Sequence, residues 1–235
     1  MRQDLVMLPG LLLDRRLWAA QEEALSDLAS VHIPDLSQED DLSILVAKLL
    51  TRLPERFALA GLSMGGYVAF ELLRQAPERI SRLALLDTNA WPDTPAVRAQ
   101  RRSLIGLADR GAFHGVTQRL LRQLLHPERL AEGHLESLIM AMAKSIGPDG
   151  FKRQQTAILG RADFSPLLPR IAVPTLVLCG EADSLTPPAR HREMAIAIQK
   201  SRLVIVPGAG HLPPLERPAE TSAVLRQWLI KSPEA

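Results

Sequence analysis

Gly61-Leu62-Ser63-Met64-Gly65-Gly66 is the stretch on which the reading of this chain turns. An apolar run, 57–62, leads into it, and a helical pattern leaves it and continues to about Gln75. A serine between a strand and a helix, with glycines two positions before and after, suits a tight turn that lifts a nucleophile clear of a sheet. The glycines remove side chains that would collide where strand and helix come close, and the helix start aims free N–H groups at the same point. Alone the pattern is only moderately specific, since chance produces G-x-S-x-G in roughly one chain in fifteen of this length. Rival phosphate-binding readings fail on the residues: no Lys follows for a P-loop, and Ser63 replaces the second Gly of a dinucleotide fingerprint.

Outward from this turn, short apolar runs alternate with longer helical patterns. Strands are expected at 4–8, 30–33, 57–62, 80–86, 175–179 and 203–206. Helices are expected near 17–28, 42–53, 64–75, 188–198 and 218–231, the last opened by Pro218. The alternation predicts an α/β chain, a mostly parallel six-stranded sheet with helices on both faces. It stops between about Trp91 and Leu168. There, apolar residues recur at three and four positions through 97–108, 113–125 and 135–146, and prolines punctuate both ends. The expected organisation is a core made of 1–91 and 169–235, with a helical cap, 92–168, inserted between two strands.

A serine hydroxyl needs a base. Of the six histidines only His211, in Val206-Pro-Gly-Ala-Gly-His211, follows a strand closely, in a glycine-rich loop. The base in turn needs an orienting carboxylate. Asp183, in Gly180-Glu-Ala-Asp183, lies just past the strand at 175–179 and gives the chain order Ser, Asp, His. Asp87, past the strand at 80–86, is its main rival, and Glu181 a weaker one.

These pieces together resemble the α/β-hydrolase superfamily along nearly the whole chain. The chain is most similar to small bacterial carboxylesterases and to their esterase, 2-succinyl-6-hydroxy-2,4-cyclohexadiene-1-carboxylate synthase and C–C hydrolase relatives. Leu8-Pro-Gly10-Leu11, Gly61-Leu-Ser63-Met-Gly65-Gly66, Gly180-Glu-Ala-Asp183 and Gly208-Ala-Gly210-His211 carry the resemblance. It implies a serine esterase with Ser63 as nucleophile, His211 as base and Asp183 as acid, and the backbone N–H groups of Leu11 and Met64 as the oxyanion hole. It places a substrate pocket under the cap, for which Leu12, Trp91, Phe113 and Met142 are candidates. A serine nucleophile disfavours the branches that use aspartate. Two departures stand out. Pro9-Gly10 replaces the usual His-Gly, and the chain starts almost at the family's third strand, so the first two strands are expected to be missing.

Composition sets the remaining expectations. The 235 residues are 46% hydrophobic and 23% charged, with a formal net charge of +2. That is globular composition, and the basic residues are spread out rather than massed as a nucleic-acid arm. One Tyr and five Phe leave little for base stacking. Cys179 is the only cysteine, inside an apolar run, and no histidine spacing suggests a metal. Residues 5–13 imitate a signal sequence, but Asp4, Pro9-Gly10 and Asp14-Arg15-Arg16 interrupt or flank the run wrongly. The expectation is a soluble, cytoplasmic monomer or homodimer acting on a small-molecule ester without cofactor, metal, nucleic acid or membrane insertion. The same triad also serves thioesterases, C–C hydrolases and lyases, and some members of the fold only bind ligands.

Overall fold

The computed structural model describes residues 2–230. Six strands, β1 (Gln3–Leu8), β2 (Ala29–His32), β3 (Phe57–Leu62), β4 (Ile80–Leu86), β5 (Thr175–Gly180) and β6 (Ser201–Val206), form one sheet in the order β2-β1-β3-β4-β5-β6. Every pairing is parallel. The chain starts at β1, steps outward to β2, and returns across β1 to β3. The sheet therefore changes direction between β1 and β3, the position at which open α/β sheets commonly bind ligands.

The central strands are buried on both faces, as parallel strands are, while the edge strands β2 and β6 are partly exposed. β3 and β5 are buried along their whole length. Alternate residues feed two separate cores, as the two-residue period of a strand requires. Leu5, Met7, Ala58, Ala60 and Leu62 pack with Leu17, Trp18, Leu25, Leu225 and Trp228 on one face. Val6, Leu8, Phe57 and Leu59 pack with Leu45, Val46, Val68, Phe70 and Met194 on the other. The first face carries α1 (Ala19–Ala24) and, near the C-terminus, a helix over Pro218–Ile230. The second carries α2 (Leu42–Leu50), α3 (Met64–Gln75) and a helix over Pro188–Ala197.

Between β4 and β5 lie α4 (Pro95–Asp109), α5 (Gln118–Leu124) and α6 (Gly133–Gly160). Their apolar residues Leu121, Leu135, Ile139, Met142 and Phe151 join the first core. The helices at Pro188–Ala197, Pro213–Glu216 and Pro218–Ile230 are α7, α8 and α9. Among the described residues, no helix is long and apolar enough to cross a membrane.

Several boundaries differ from expectation for local reasons. The helix expected over 113–125 starts only at Gln118, because Gly115 has φ +62° and the Thr117 side chain caps the first turn. The helix expected over 135–146 resumes after a kink at Gly147 (φ +67°) and runs to Gly160, with Pro148 opening the second half. The helix expected over 17–28 is a 3-10 turn, Arg15–Trp18, followed by six residues of α1. Strand β6 begins two residues earlier than expected. Lys231, expected to end the last helix, lies outside the described residues.

Candidate active site

Ser63 stands between β3 and α3 with φ 54° and ψ −114°, a backbone conformation that non-glycine residues rarely hold. The neighbouring structure imposes it. The Ser63 N–H donates to the Leu86 carbonyl at 3.0 Å, and the Thr88 hydroxyl donates to the Ser63 carbonyl at 2.8 Å. The flanking glycines let the strand and helix meet. A Cβ on Gly61 would lie 2.4 Å from the Gly65 carbonyl oxygen, and one on Gly65 would lie 2.2 Å from that of Leu8. Ser63 occupies the N-cap position of α3, yet its hydroxyl does not cap the helix. It meets His211 instead.

His211 Nε2 lies 2.9 Å from Ser63 Oγ, and His211 Nδ1 lies 2.9 Å from Asp183 Oδ2. His211 and Asp183 are each 3% exposed. The three residues nominated from sequence thus form one connected line. The carboxylate accepts only, so His211 Nδ1 carries the proton and Nε2 is left to accept from the serine. Asp183 is itself locked in place. Its Oδ1 accepts the N–H groups of Leu185 and Thr186 at 2.9 and 3.1 Å, and its Oδ2 accepts the Thr186 hydroxyl at 2.6 Å. Burial pushes the Asp183 carboxyl upward. The charge of His211 and the hydrogen bonds from His211 and Thr186 outweigh it and hold the group at about 2.

Asp87, the rival acid, follows β4 directly and has φ 44°. It is fully buried, and its Oδ1 accepts the Gly180 N–H at 2.8 Å. Burial first, and the nearby Asp183 charge second, raise its carboxyl well above the ordinary value. Glu181, the weaker rival, is exposed, and its Oε2 accepts the Gly208 N–H at 3.2 Å.

Cys179, which showed no metal spacing along the chain, is brought by the fold to Asp87 and Asp183. One donor atom from each lies within 4.8 Å of the others. The donor chemistry suits a cation poorly. Burial raises both the Cys179 thiol and the Asp87 carboxyl, which opposes the proton loss that metal ligation requires, and Asp183 is already occupied by hydrogen bonds.

The turn after β1 faces the same edge of the sheet. Leu12 has φ 61°. Its N–H is held by Gln154 Oε1 at 3.0 Å, and the Leu13 N–H by the Gly10 carbonyl at 3.2 Å. Met64 is the first residue of α3, where an N–H has no carbonyl of its own helix to bond. Of the pocket candidates, Leu12 and Met142 are buried in the first core, and Phe113 packs against that core with its ring 5.1 Å from that of Phe151. Trp91 stands apart from them. It packs against the second core, with the Arg190 guanidinium 5.2 Å from its ring centre.

Sequence reading overlooked four buried polar residues here. Gln154 holds the Leu12 amide. Thr88 and His191 brace the nucleophile turn: the Thr88 N–H donates to His191 Nε2 at 3.1 Å, and burial lowers this imidazole to about 4, so it is neutral. Glu216 accepts the N–H groups of Gly210 and Leu212, on either side of His211. Only Glu216 had a visible signal, a lone acid in the apolar run His211-Leu-Pro-Pro-Leu-Glu216.

Known proteins share this arrangement of chain. Residues 5–224 match the alpha/beta hydrolase family. The pimeloyl-[acyl-carrier protein] methyl ester esterase of Nitrosomonas europaea is 29% identical over 92% of this chain and 92% of its own length. That of Edwardsiella ictaluri is 26% identical over 97% and 93%. Among solved structures, a thermophilic esterase from Thermogutta terrifontis superposes with a TM-score of 0.91 at 31% identity, covering 97% of this chain and 89% of that one. An enol-lactonase from Burkholderia xenovorans gives 0.85 at 26% identity, covering 98% and 93%. With its parallel sheet, its serine on the turn after β3 and a family match along nearly its whole length, the chain belongs to the alpha/beta hydrolase family.

Proposed function

We propose that this protein hydrolyses carboxylic esters with small to medium apolar acyl groups through an acyl-enzyme on Ser63. The observation that carries the reading is the line Ser63 Oγ, His211 Nε2, His211 Nδ1, Asp183 Oδ2, half-buried at the serine and buried at the acid, with 2.9 Å at each of its two links. His211 takes the hydroxyl proton as Ser63 attacks the ester carbonyl, and Asp183 steadies the imidazolium that forms. The tetrahedral oxyanion is assigned to the amides of Leu11 and Met64. Supporting this, the amides of Leu12 and Leu13 are already engaged, while Met64 sits at the positive end of α3. His211 then gives its proton to the departing alcohol, and water attacks the acyl-enzyme with His211 again as base.

The acyl pocket is assigned to Leu12, Phe113 and Met142, which gather in one apolar cluster beneath the cap helices. Trp91 is assigned to the core on the far side. The relatives named as esterases and as an enol-lactonase support an oxygen ester as the bond cleaved. The test is a panel of oxygen esters and thioesters of graded acyl length, run beside labelling with a serine-directed phosphonate. Labelling at Ser63 and a preference for short to medium oxygen esters are expected. A protein that labels elsewhere, or turns over only thioesters, contradicts the reading.

A further inference from the structure

Glu216 ends the short helix α8 and is 3% exposed. Its Oε1 accepts the N–H groups of Gly210 at 2.8 Å and Leu212 at 3.1 Å. Its Oε2 reaches a different part of the molecule and accepts the N–H of His126 at 2.6 Å. His126 directly follows Leu125, two residues beyond α5, within the inserted helical segment. A second bond crosses the same boundary: the His211 N–H donates to the Leu124 carbonyl at 2.8 Å. The two segments are also in tight contact, since a Cβ on Gly210 would lie 2.7 Å from the backbone of Leu125 and of His126.

These contacts surround His211 on both sides. The amides before and after it are held by one carboxylate oxygen, its own amide is held by Leu124, and the other carboxylate oxygen holds the cap segment. Only a carboxylate can do this. It offers acceptor lone pairs on both oxygens, whereas an amide side chain offers them on one and turns donors toward the other partner. Burial raises the Glu216 carboxyl, and the three backbone donors together with His126 oppose that rise. The titratable groups that feel Glu216 in turn include Arg129 and Asp87, both of which it raises.

We propose that Glu216 is a positioning residue for the reaction, a carboxylate staple that couples docking of the segment 124–126 to the alignment of His211 between Ser63 and Asp183. The proposal rests on His211 being the base. Its consequence is that acylation is fast only while the cap segment is docked. When that segment moves away, the His211 loop loses its Leu124 bond, and Glu216 loses the partner that holds its second oxygen.

Glu216→Gln separates this from a purely structural role. The amide oxygen keeps the Gly210 and Leu212 bonds, while the NH₂ meets the His126 N–H and breaks the cap tie. Turnover is measured on a small activated ester, per active site counted with the phosphonate probe, so that loss of folded protein does not enter. The expected result is a fall in kcat per site of about tenfold or more, as small misplacements of a catalytic group produce. KM should change by less than about threefold, because the lost interaction acts on the transition state. The downfield proton resonance of His211 Nδ1–H should broaden or move. Glu216→Ala, which removes both ties, should fall further, to about a hundredth, and if it fails to fold the glutamine variant carries the test. Should Glu216→Gln lower only the melting temperature, with kcat per site and the His211 resonance as in the parent, Glu216 is structural and the coupling is overturned. A His211→Ala control locates the failure. If that control is inactive while Glu216→Gln is normal, the coupling alone falls. If the control retains parental turnover, the base assignment falls and the coupling with it.

Discussion

Asp87 and Asp183 stand carboxyl beside carboxyl at the ends of neighbouring strands, their donor atoms within 4.8 Å of each other, and their surroundings push them in opposite directions. Against the cost of burial, His211 and Thr186 hold the Asp183 carboxyl at about 2, while burial and then the neighbouring Asp183 charge push the Asp87 carboxyl well above its ordinary value. A like charge so close opposes ionisation of the second carboxyl. Asp183 faces the His211 ring, whereas the Asp87 Oδ1 accepts the Gly180 N–H.

Asp87→Asn should therefore be mild. Asparagine keeps the shape of Asp87 and the oxygen that accepts the Gly180 N–H, and turnover on a short-chain ester should fall by at most about tenfold. Its effect on stability should depend on pH. In the unfolded chain Asp87 ionises near about 3.9, and folding raises that value, so the stability Asp87 contributes is lost as pH rises above the unfolded value. Asparagine does not titrate. The difference in melting temperature between variant and wild type should shift in the variant's favour from pH 4 to pH 7, and a constant difference would show that Asp87 ionises freely.

Asp183→Asn should be severe. The amide can present its NH₂ to the ring and favour the wrong tautomer of His211, a change that costs about 10⁴-fold in a comparable triad. Circular dichroism should first show that the variant folds. An active Asp183→Asn beside a crippled Asp87→Asn would move the acid to the earlier strand.

Acid sensitivity follows from the same carboxylate. The folded-state value of Asp183, about 2, lies below its unfolded value near about 3.9. Its contribution to stability is fully present above the unfolded value and is lost as pH falls toward 2. Wild type should lose stability between pH 4 and pH 2 more steeply than Asp183→Asn, as read by urea midpoints at each pH. Parallel slopes would contradict the depressed value.

Gly65→Ala tests the nucleophile turn. The added methyl would lie 2.2 Å from the Leu8 carbonyl oxygen, which belongs to the sheet and cannot swing aside. The expected cost is at least about 2 kcal/mol, in the range of forced overpacking, measured from the urea midpoint at unchanged slope. A midpoint equal to the parent's would mean that β1 and α3 are less tightly apposed.

Much of this was legible along the chain because parallel strands are continuous apolar runs and because Ser63, Asp183 and His211 each follow one. The order of the strands and the alternation of Leu5, Val6, Met7 and Leu8 between two cores came only with the structure. The inserted segment was less legible. Its apolar spacing showed helices, but the late start of α5 was set by the Thr117 cap and the kink in α6 by Gly147 and Pro148. Trp91 packs against the second core, apart from the other pocket candidates, and along the chain a tryptophan beside an insert looks alike whether it faces a cleft or a core. Gln154 and the reach of Glu216 into the inserted segment escaped notice because those partners are backbone amides far along the chain, 142 residues away for the Leu12 bond and 90 for the His126 bond. No spacing pattern encodes such contacts.

The central claim is that Ser63 is the nucleophile, and the turnover of Ser63→Ala on an activated ester tests it most directly. Alanine keeps the buried fold and removes only the hydroxyl that meets His211 Nε2 at 2.9 Å. The account predicts a rate lower by about 10⁶-fold in a variant with native circular dichroism, in line with nucleophile loss in other serine triads. A folded Ser63→Ala that retains even a tenth of the wild-type rate would contradict it.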